Sequence, residues 1–309
     1  MSDAVIMGPM DIQHLRAFIA VAEELHFGRA AARLHMAQPP LSRTIKQLER
    51  ELGAQLFERT TRSVRLTAAG EALIRPAQQV LDDIDVARSI VASAGSGVSG
   101  RVRVGFAGAS SHRPAARLAR QVRQRYPGID LVLSSLTFAG EGVRQLQEGD
   151  LDVAIVRWDQ APPGLRSRPV LKERKLVAVP VDHRLAGRSS VTMKELEQEA
   201  WVTLSSDPPP YLYNMLIRMS LDAGYAPRIA QRAPDMWTTM ALVSAGVGIC
   251  LTFDSVMESM PATEVHALTI EGEDAPVWAY LAWRRDNVNP ALARVLEVAA
   301  EALPEPSED

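Results

Sequence analysis

The chain has 309 residues, 47% of them hydrophobic, which is too long for one typical core and ample for two or three packed units. Its formal charge of −3 argues against a chain that coats polyanions along its whole length, and a single cysteine excludes an intramolecular disulfide. No apolar run reaches bilayer-spanning length, and no basic segment followed by an apolar stretch opens the sequence, so a cytoplasmic location without a membrane partner is expected.

Asp11 is placed to cap a first helix whose apolar stripe is Ile12, Leu15, Phe18, Ile19 and Ala22. A short second helix over about Gly28 to Leu34 offers Ala30, Ala31 and Leu34, small enough to let a third helix cross closely. Pro39 and Pro40 suit the first turn of that third helix, where an N–H has no intrahelical partner to lose. Leu41, Ile45, Leu48 and Leu52 form its apolar stripe, and the other face carries Ser42, Arg43, Lys46, Gln47 and Arg50, with Gln38 just before.

Such a face can meet base edges in a major groove, and Gln38, Pro39, Ser42, Arg43 and Gln47 are the candidates for that contact. An ordinary solvated face balanced by Glu49 and Glu51 is the alternative. The following FERTTRSVRL reads as a basic hairpin, with Arg59, Arg62 and Arg65 placed to straddle phosphates together with Lys46 and Arg50. Helix, turn, helix and hairpin in this order give a winged helix-turn-helix domain over residues 10–67, with double-stranded DNA as the partner. Charge agrees, since residues 10–66 hold nine Lys and Arg against six Asp and Glu, so the acidic balance lies in the rest of the chain.

The run AQPPLSRTIKQLERELGAQLFERTTRSVRLTAAGE and its surroundings, from Met10 to about Val91, resemble the DNA-binding half of the LysR-type transcriptional regulators. The phrase HFGRAA together with AQPPLSR most resembles the branch that senses aromatic-degradation intermediates such as benzoate, muconate and chlorocatechol. The resemblance implies a non-enzymatic transcription factor without cofactors, a dimer or a homotetramer of two dimers, a contact with RNA polymerase, and a second half shaped like a periplasmic solute-binding protein. It also implies a start at the position of Met10, so residues 1–9 are expected to be a flexible extension or a misplaced start, with Met7 and Met10 as alternative initiators.

Thr67 can cap the next helix, with Glu71 in its first turn. Along it Leu73, Ala77, Val80, Ile84, Ala87 and Val91 recur in steps of four and three, the seam of a two-stranded coiled coil, so residues 68–92 are a candidate dimerising linker in which Pro76 can introduce a kink. An amphipathic helix folded back on its own body is the alternative. Residues 93–100, rich in Gly and Ser, read as a hinge.

From residue 101 to 309 strands and helices alternate, giving an α/β effector domain. Strands are expected at RVRVGF, Ile129–Leu136, Asp152–Val156, Leu176–Val179, Trp201–Leu204, Val247–Leu251 and Val277–Trp283. Helices are expected at Pro114–Tyr126, Gly140–Glu148, Tyr211–Ala223, Met236–Ala245 and Pro290–Ala302. The resemblance implies two subdomains here, placed over about 101–160 and 273–303 and over about 165–268, with chain crossings near Asp159–Arg166 and Leu268–Ala275.

In open parallel sheets a ligand lies beyond the carboxyl ends of the strands. That rule selects Ser110, Ser111, Thr137, Phe138, Arg157, Ser205, Ser206, Thr252 and Phe253 for a small effector, with a carboxylate suited to the hydroxyls, helix ends and guanidinium. Each hydroxyl serves equally as a plain helix cap, and an arginine such as Arg157 is more often a solvent-facing ion-pair partner. Ala109 and Ala139 stand where the muconate-sensing pattern aligns a serine and a threonine, which argues against muconate itself.

No GxSxG elbow or phosphate loop is present, and the six histidines lack ligand spacing, so no catalytic or metal site is expected and each histidine reads as a surface or cap residue. Cys250 in GVGICLTF reads as a small buried hydrophobe. An exported solute-binding protein and an enzyme with an appended interaction module are the competing classes. The first has no use for Gln38–Arg50, and the second needs a convergent acid, base or nucleophile.

Overall fold

The computed structural model describes residues 10–60, 63–93, 99–135, 139–205, 209–260 and 264–307, which fall into two compact units divided at Arg88 and Ser89. Arg62, Thr137, Phe138 and Ser206 lie outside the described residues, as do residues 1–9, most of the 93–100 segment and the side chain of Val91.

In the first unit α1 (Ile12–Glu24), α2 (Phe27–Arg33) and α3 (Gln38–Leu52) precede a hairpin of β1 (Phe57–Arg59) and β2 (Val64–Leu66) and the long α4 (Ala68–Ser93). Asp11 and His14 form a reciprocal capping box on α1, and the His26 ring caps α2 by accepting from Gly28 and Arg29. Leu15, Phe18 and Ile19 are buried with Leu41, Ile45 and Leu48, whereas Ile12 is 38% exposed and drops out of the predicted stripe. Phe57 of the hairpin closes the core, its ring 5.6 Å from Phe18 and 6.0 Å from Phe27.

Thr67 caps α4 through Gly70 N and donates to the Gln55 carbonyl, which fixes the corner between hairpin and helix. Leu73 and Ala77, the first two positions of the predicted seam, pack with Ile74 and Leu81 on the core of their own unit. That corrects the seam: its start is occupied within the chain, because the helix packs on its own core as far as Leu81 in the fourth turn. Val80, 42% exposed, the half-buried Ile84 and the exposed Ala87 are the positions left over.

The second unit opens with β3 (Gly100–Phe106), α5 (His112–Arg125), β4 (Ile129–Ser134), α6 (Ala139–Glu148), β5 (Val153–Arg157) and β6 (Leu165–Glu173). There follow β7 (Lys175–Pro180), β8 (Ser190–Val191), β9 (Ala200–Leu204), α7 (Tyr211–Asp222), β10 (Arg228–Ala233), α8 (Met236–Ser244), β11 (Cys250–Phe253), α9 (Asp254–Ser259), β12 (Val265–Ile270), β13 (Val277–Arg284) and α10 (Pro290–Ala302). One sheet has the order β4-β3-β5-β13-β6, parallel at β4-β3-β5 and antiparallel around β13. The other has the order β11-β7-β12-β8, and the parallel pair β9-β10 approaches it through a bridge between Trp201 and Ile249. These are two α/β subdomains with separate cores, as in periplasmic binding proteins.

The expected first crossing at Asp159–Arg166 is incorrect. β6 pairs antiparallel with β13 from Leu165 opposite Arg284 to Glu173 opposite Val277, so it belongs to the first subdomain and the chain passes over at Arg174. The arginines of this segment and Pro169 mask a strand that survives because it is an edge strand, where a missing N–H costs no ladder bond. The return falls between β12 and β13, overlapping the expected second crossing. The strand expected at Val247–Leu251 begins instead at Cys250: Gly246 has φ +74°, and a Cβ on Gly248 would lie 2.4 Å from the Ala200 carbonyl oxygen, so these residues form a turn against β9. Among the described residues no helix is long and apolar enough to cross a membrane.

Gly70 generates a prediction. Alanine ordinarily stabilises a helix by about 1 kcal/mol over glycine, yet a Cβ here would sit 2.2 Å from the Leu56 carbonyl oxygen, backbone that cannot swing aside. Gly70→Ala is expected to destabilise the first unit by about 1–3 kcal/mol, read as a lowered thermal midpoint; a raised midpoint would contradict the packing described.

Candidate nucleic-acid interface and effector cavity

On α3 the leucine and isoleucine stripe is sealed in the core, which leaves the opposite face to solvent. Gln38, Pro39, Arg43, Lys46 and Gln47 are exposed and Ser42 is half-buried. The side chains of Arg43 and Lys46 make no hydrogen bond or ion pair among the described residues, whereas Gln47 donates to Glu51 at 3.0 Å and Arg50 to the Lys46 carbonyl at 3.2 Å. The solvated-face alternative thus describes Gln47 and Arg50, and leaves Arg43 and Lys46 as free cations.

The hairpin is not uniformly available. The Arg59 guanidinium lies 4.6 Å from the Phe27 ring centroid and 2.8 Å from Glu49, so it is held against the helices, while Arg65 is exposed opposite Glu58. Glu49 also accepts from the Leu56 and Phe57 amides at 3.0 and 3.3 Å. One carboxylate of α3 therefore aligns the start of the wing, a role that spacing alone did not reveal because Glu49 reads as a helix-surface charge.

In the second unit a partly open cavity lies at the carboxyl ends of β3, β5, β9 and β11. Ser110, Arg157 and Phe253 line it, as expected from the strand-end rule. Ser111 and Thr252 are fully buried beside it with unpartnered hydroxyls, and Ser205, exposed, spends its amide on the Ala233 carbonyl. Tyr211 adds a phenol to the lining, and Ile155, Val156, Leu204, Leu212, Met236 and Val256 are among its other walls, so the lining is mostly apolar.

Arg157 is buried, not solvent-facing. Its Nε donates to Glu173 Oε2 at 2.6 Å and its Nη2 to Glu173 Oε1 at 2.9 Å and Ser110 Oγ at 2.7 Å, while its plane covers the Phe253 ring at 5.2 Å. Glu173 and Tyr211 are the residues that the sequence pattern does not reveal: Glu173 ends a strand hidden in a charged run, and Tyr211 reads only as a helix start. The Tyr211 hydroxyl donates to Asp159 at 2.7 Å, and Arg218 donates to the other oxygen at 2.9 Å. Burial and then the neighbouring carboxylate push the Tyr211 phenol above its ordinary range, and the Tyr211 and Arg218 hydrogen bonds hold Asp159 below its own.

His14 and His26 cap helices, His183 lies 3.2 Å from Glu199, and His266 meets the Arg188 carbonyl. Among the described residues no three His, Cys, Asp or Glu converge on a metal-sized site. Burial pushes the Cys250 thiol up to about 12, which suppresses the thiolate and with it redox reactivity.

A winged helix with a free cationic helix face, followed by a two-subdomain cavity, defines a ligand-responsive DNA-binding protein. Residues 12–71 match the family of bacterial regulatory helix-turn-helix proteins of the lysR type, residues 95–304 match the LysR substrate binding domain, and the chain belongs to that family. It is 36% identical over 292 residues to the transcriptional regulator ShiR of Corynebacterium glutamicum (strain R), covering 94% of this chain and 99% of ShiR. Against AlsR of Bacillus subtilis (strain 168) the identity is 31%, over 94% of this chain and 95% of AlsR. The solved full-length CbnR in complex with its target DNA superposes with a TM-score of 0.74 at 27% identity, covering 95% of this chain and all of that one. The chain is thus a DNA-binding transcriptional regulator with an effector-binding domain, and not an enzyme.

The position of Glu49 predicts that Glu49→Ala, which strands two partly buried amides and frees Arg59, costs about 1–3 kcal/mol of stability. Glu49→Gln, which keeps one acceptor, is expected to cost less. Identical melting curves for all three proteins would remove Glu49 from the account of the wing.

Proposed function

We propose that the chain reads an operator by laying α3 in a major groove, with Gln38, Pro39, Ser42, Arg43 and Gln47 at base edges and Lys46, Arg50, Arg62 and Arg65 at phosphates. Arg59 shapes the wing and adds charge beside it. The observation that carries this reading is the unpaired Arg43 and Lys46 on the exposed face of a helix whose opposite face is fully buried. Two-fold pairing of the chain through the outer part of α4, at Val80, Ile84 and Ala87, would present two such helices to two half-sites, and a second pairing would give a tetramer. The protein acts in the cytoplasm and passes its response to RNA polymerase. Residues 10–67 serve as the reading domain, 68–92 as the pairing helix and 101–309 as the effector domain.

The cavity at the strand ends is the effector site. Of the two ligand classes suggested by the sequence, a carboxylate and an aromatic-derived molecule, the apolar walls and Phe253 favour the second. HFGRAA and AQPPLSR favour the aromatic-degradation branch as well, without muconate. Effector closure of the two subdomains would alter the spacing of the paired reading heads and so the bend of the DNA.

Arg43→Ala is expected to lower operator affinity in a gel shift by at least the loss of one bidentate base contact, about 1–3 kcal/mol, with the fold intact by circular dichroism. Unchanged affinity would remove Arg43 from the groove. Ser110→Ala is expected to flatten the effector dose-response while operator binding in its absence stays as in wild type; an unaltered curve would reject Ser110 as a cavity contact.

A further inference from the structure

We propose that the effector is a neutral, compact aromatic or apolar molecule bearing one hydrogen-bond acceptor, and that Glu173 is the residue that sets this specificity. The inference rests on the cavity reading above and names the charge of what the cavity takes. Arg157 is the only charged side chain among the described lining residues, and its charge is already matched. Glu173 is completely buried and stands behind the guanidinium, outside the cavity wall, with both oxygens engaged by Arg157 and one of them also accepting from the Ser255 hydroxyl. The pair is bidentate, the strongest form of this contact.

The cavity therefore meets a neutral ion pair and not a free cation. From that pair only Nη1, with its two N–H groups, is left to donate, since the Nε–H and both Nη2–H groups are taken by Glu173 and Ser110. A ligand carboxylate entering here would make two anions share one guanidinium in a site walled by Ile155, Leu204, Met236 and Val256, losing its water without gaining a net opposite charge. A neutral acceptor such as an amide carbonyl or a phenol takes the remaining donor without that cost. The chain carries, in Glu173, the carboxylate that a charged effector would otherwise supply.

The test compares benzamide with its isosteric anion benzoate, titrated calorimetrically into the full-length protein at neutral pH. Wild type is expected to bind benzamide at least about 10-fold more tightly than benzoate, the worth of one charge-assisted contact. Glu173→Gln is expected to reverse the order, because Arg157 is then without an anion. Since removal of a buried anion can unfold a chain, the wild-type comparison stands by itself, and a second readout is the thermal midpoint of Glu173→Gln, which benzoate should raise more than it raises that of wild type. Benzoate bound by wild type as tightly as benzamide, or neither compound bound at millimolar concentration, overturns the proposal. Ala109→Leu, which fills the cavity, separates the two levels: if it abolishes tight benzoate binding, the charge assignment falls and the cavity reading stands, whereas binding that survives it places the ligand elsewhere and takes the cavity reading down as well.

Discussion

The effector unit turns on the ion pair between Arg157 and Glu173. Arg157 ends β5, Glu173 ends β6, and Arg174 is the single residue through which the chain passes to the second subdomain, whose Ser255 and Phe253 close on the same pair. Both partners are buried, so loss of either would leave an uncompensated charge costing about 3–5 kcal/mol. A contact that spans both subdomains at their junction, beside the cavity, couples three things: the strand ends that shape the cavity, the passage about which the subdomains would close, and the charge offered to a ligand.

The same logic, at lower stakes, orders the DNA-reading unit. Glu49 fixes Arg59 and two amides of the wing, and Glu51 holds Gln47, so α3 uses its own carboxylates to shape the surface around the cations it leaves free. Guanidinium groups in this protein thus divide into those spent on structure and those left for a polyanion. That division is finer than net charge: a chain of −3 overall still presents a local cationic face, and its acidic remainder would oppose indiscriminate attachment to a polyanion.

The helical parts were legible in sequence because their signals are local. Asp11, His26 and Thr67 cap where short-range chemistry puts them, and α10 begins at Pro290 and ends at Ala302 as the 3.6-residue pattern requires. What escaped was set by pairing. β6 carries Arg166, Arg168 and Pro169 and becomes a strand only because β13 lies beside it; β10 and β12 are short and half-polar for the same reason. The strand-end rule found Ser110, Arg157 and Phe253 since they follow buried apolar runs, but it could not separate Ser111 and Thr252, which turn into the wall, from side chains that face the cavity. Glu173 was invisible because it acts through Arg157 from a strand that the sequence hides. In α4 the first positions of the heptad pattern are claimed by the local core.

Sequence recognition by this protein would rest on the exposed face of α3, which must distinguish one duplex from another. The most direct measurement is the affinity of the purified protein for its own promoter and for a shuffled duplex of the same composition, each over a range of salt. The account predicts a preference of about 10³ or more for the promoter at physiological salt, with both affinities falling as salt rises. Equal affinities for the two duplexes at every salt concentration would show that the face binds phosphates alone, and the account would fail.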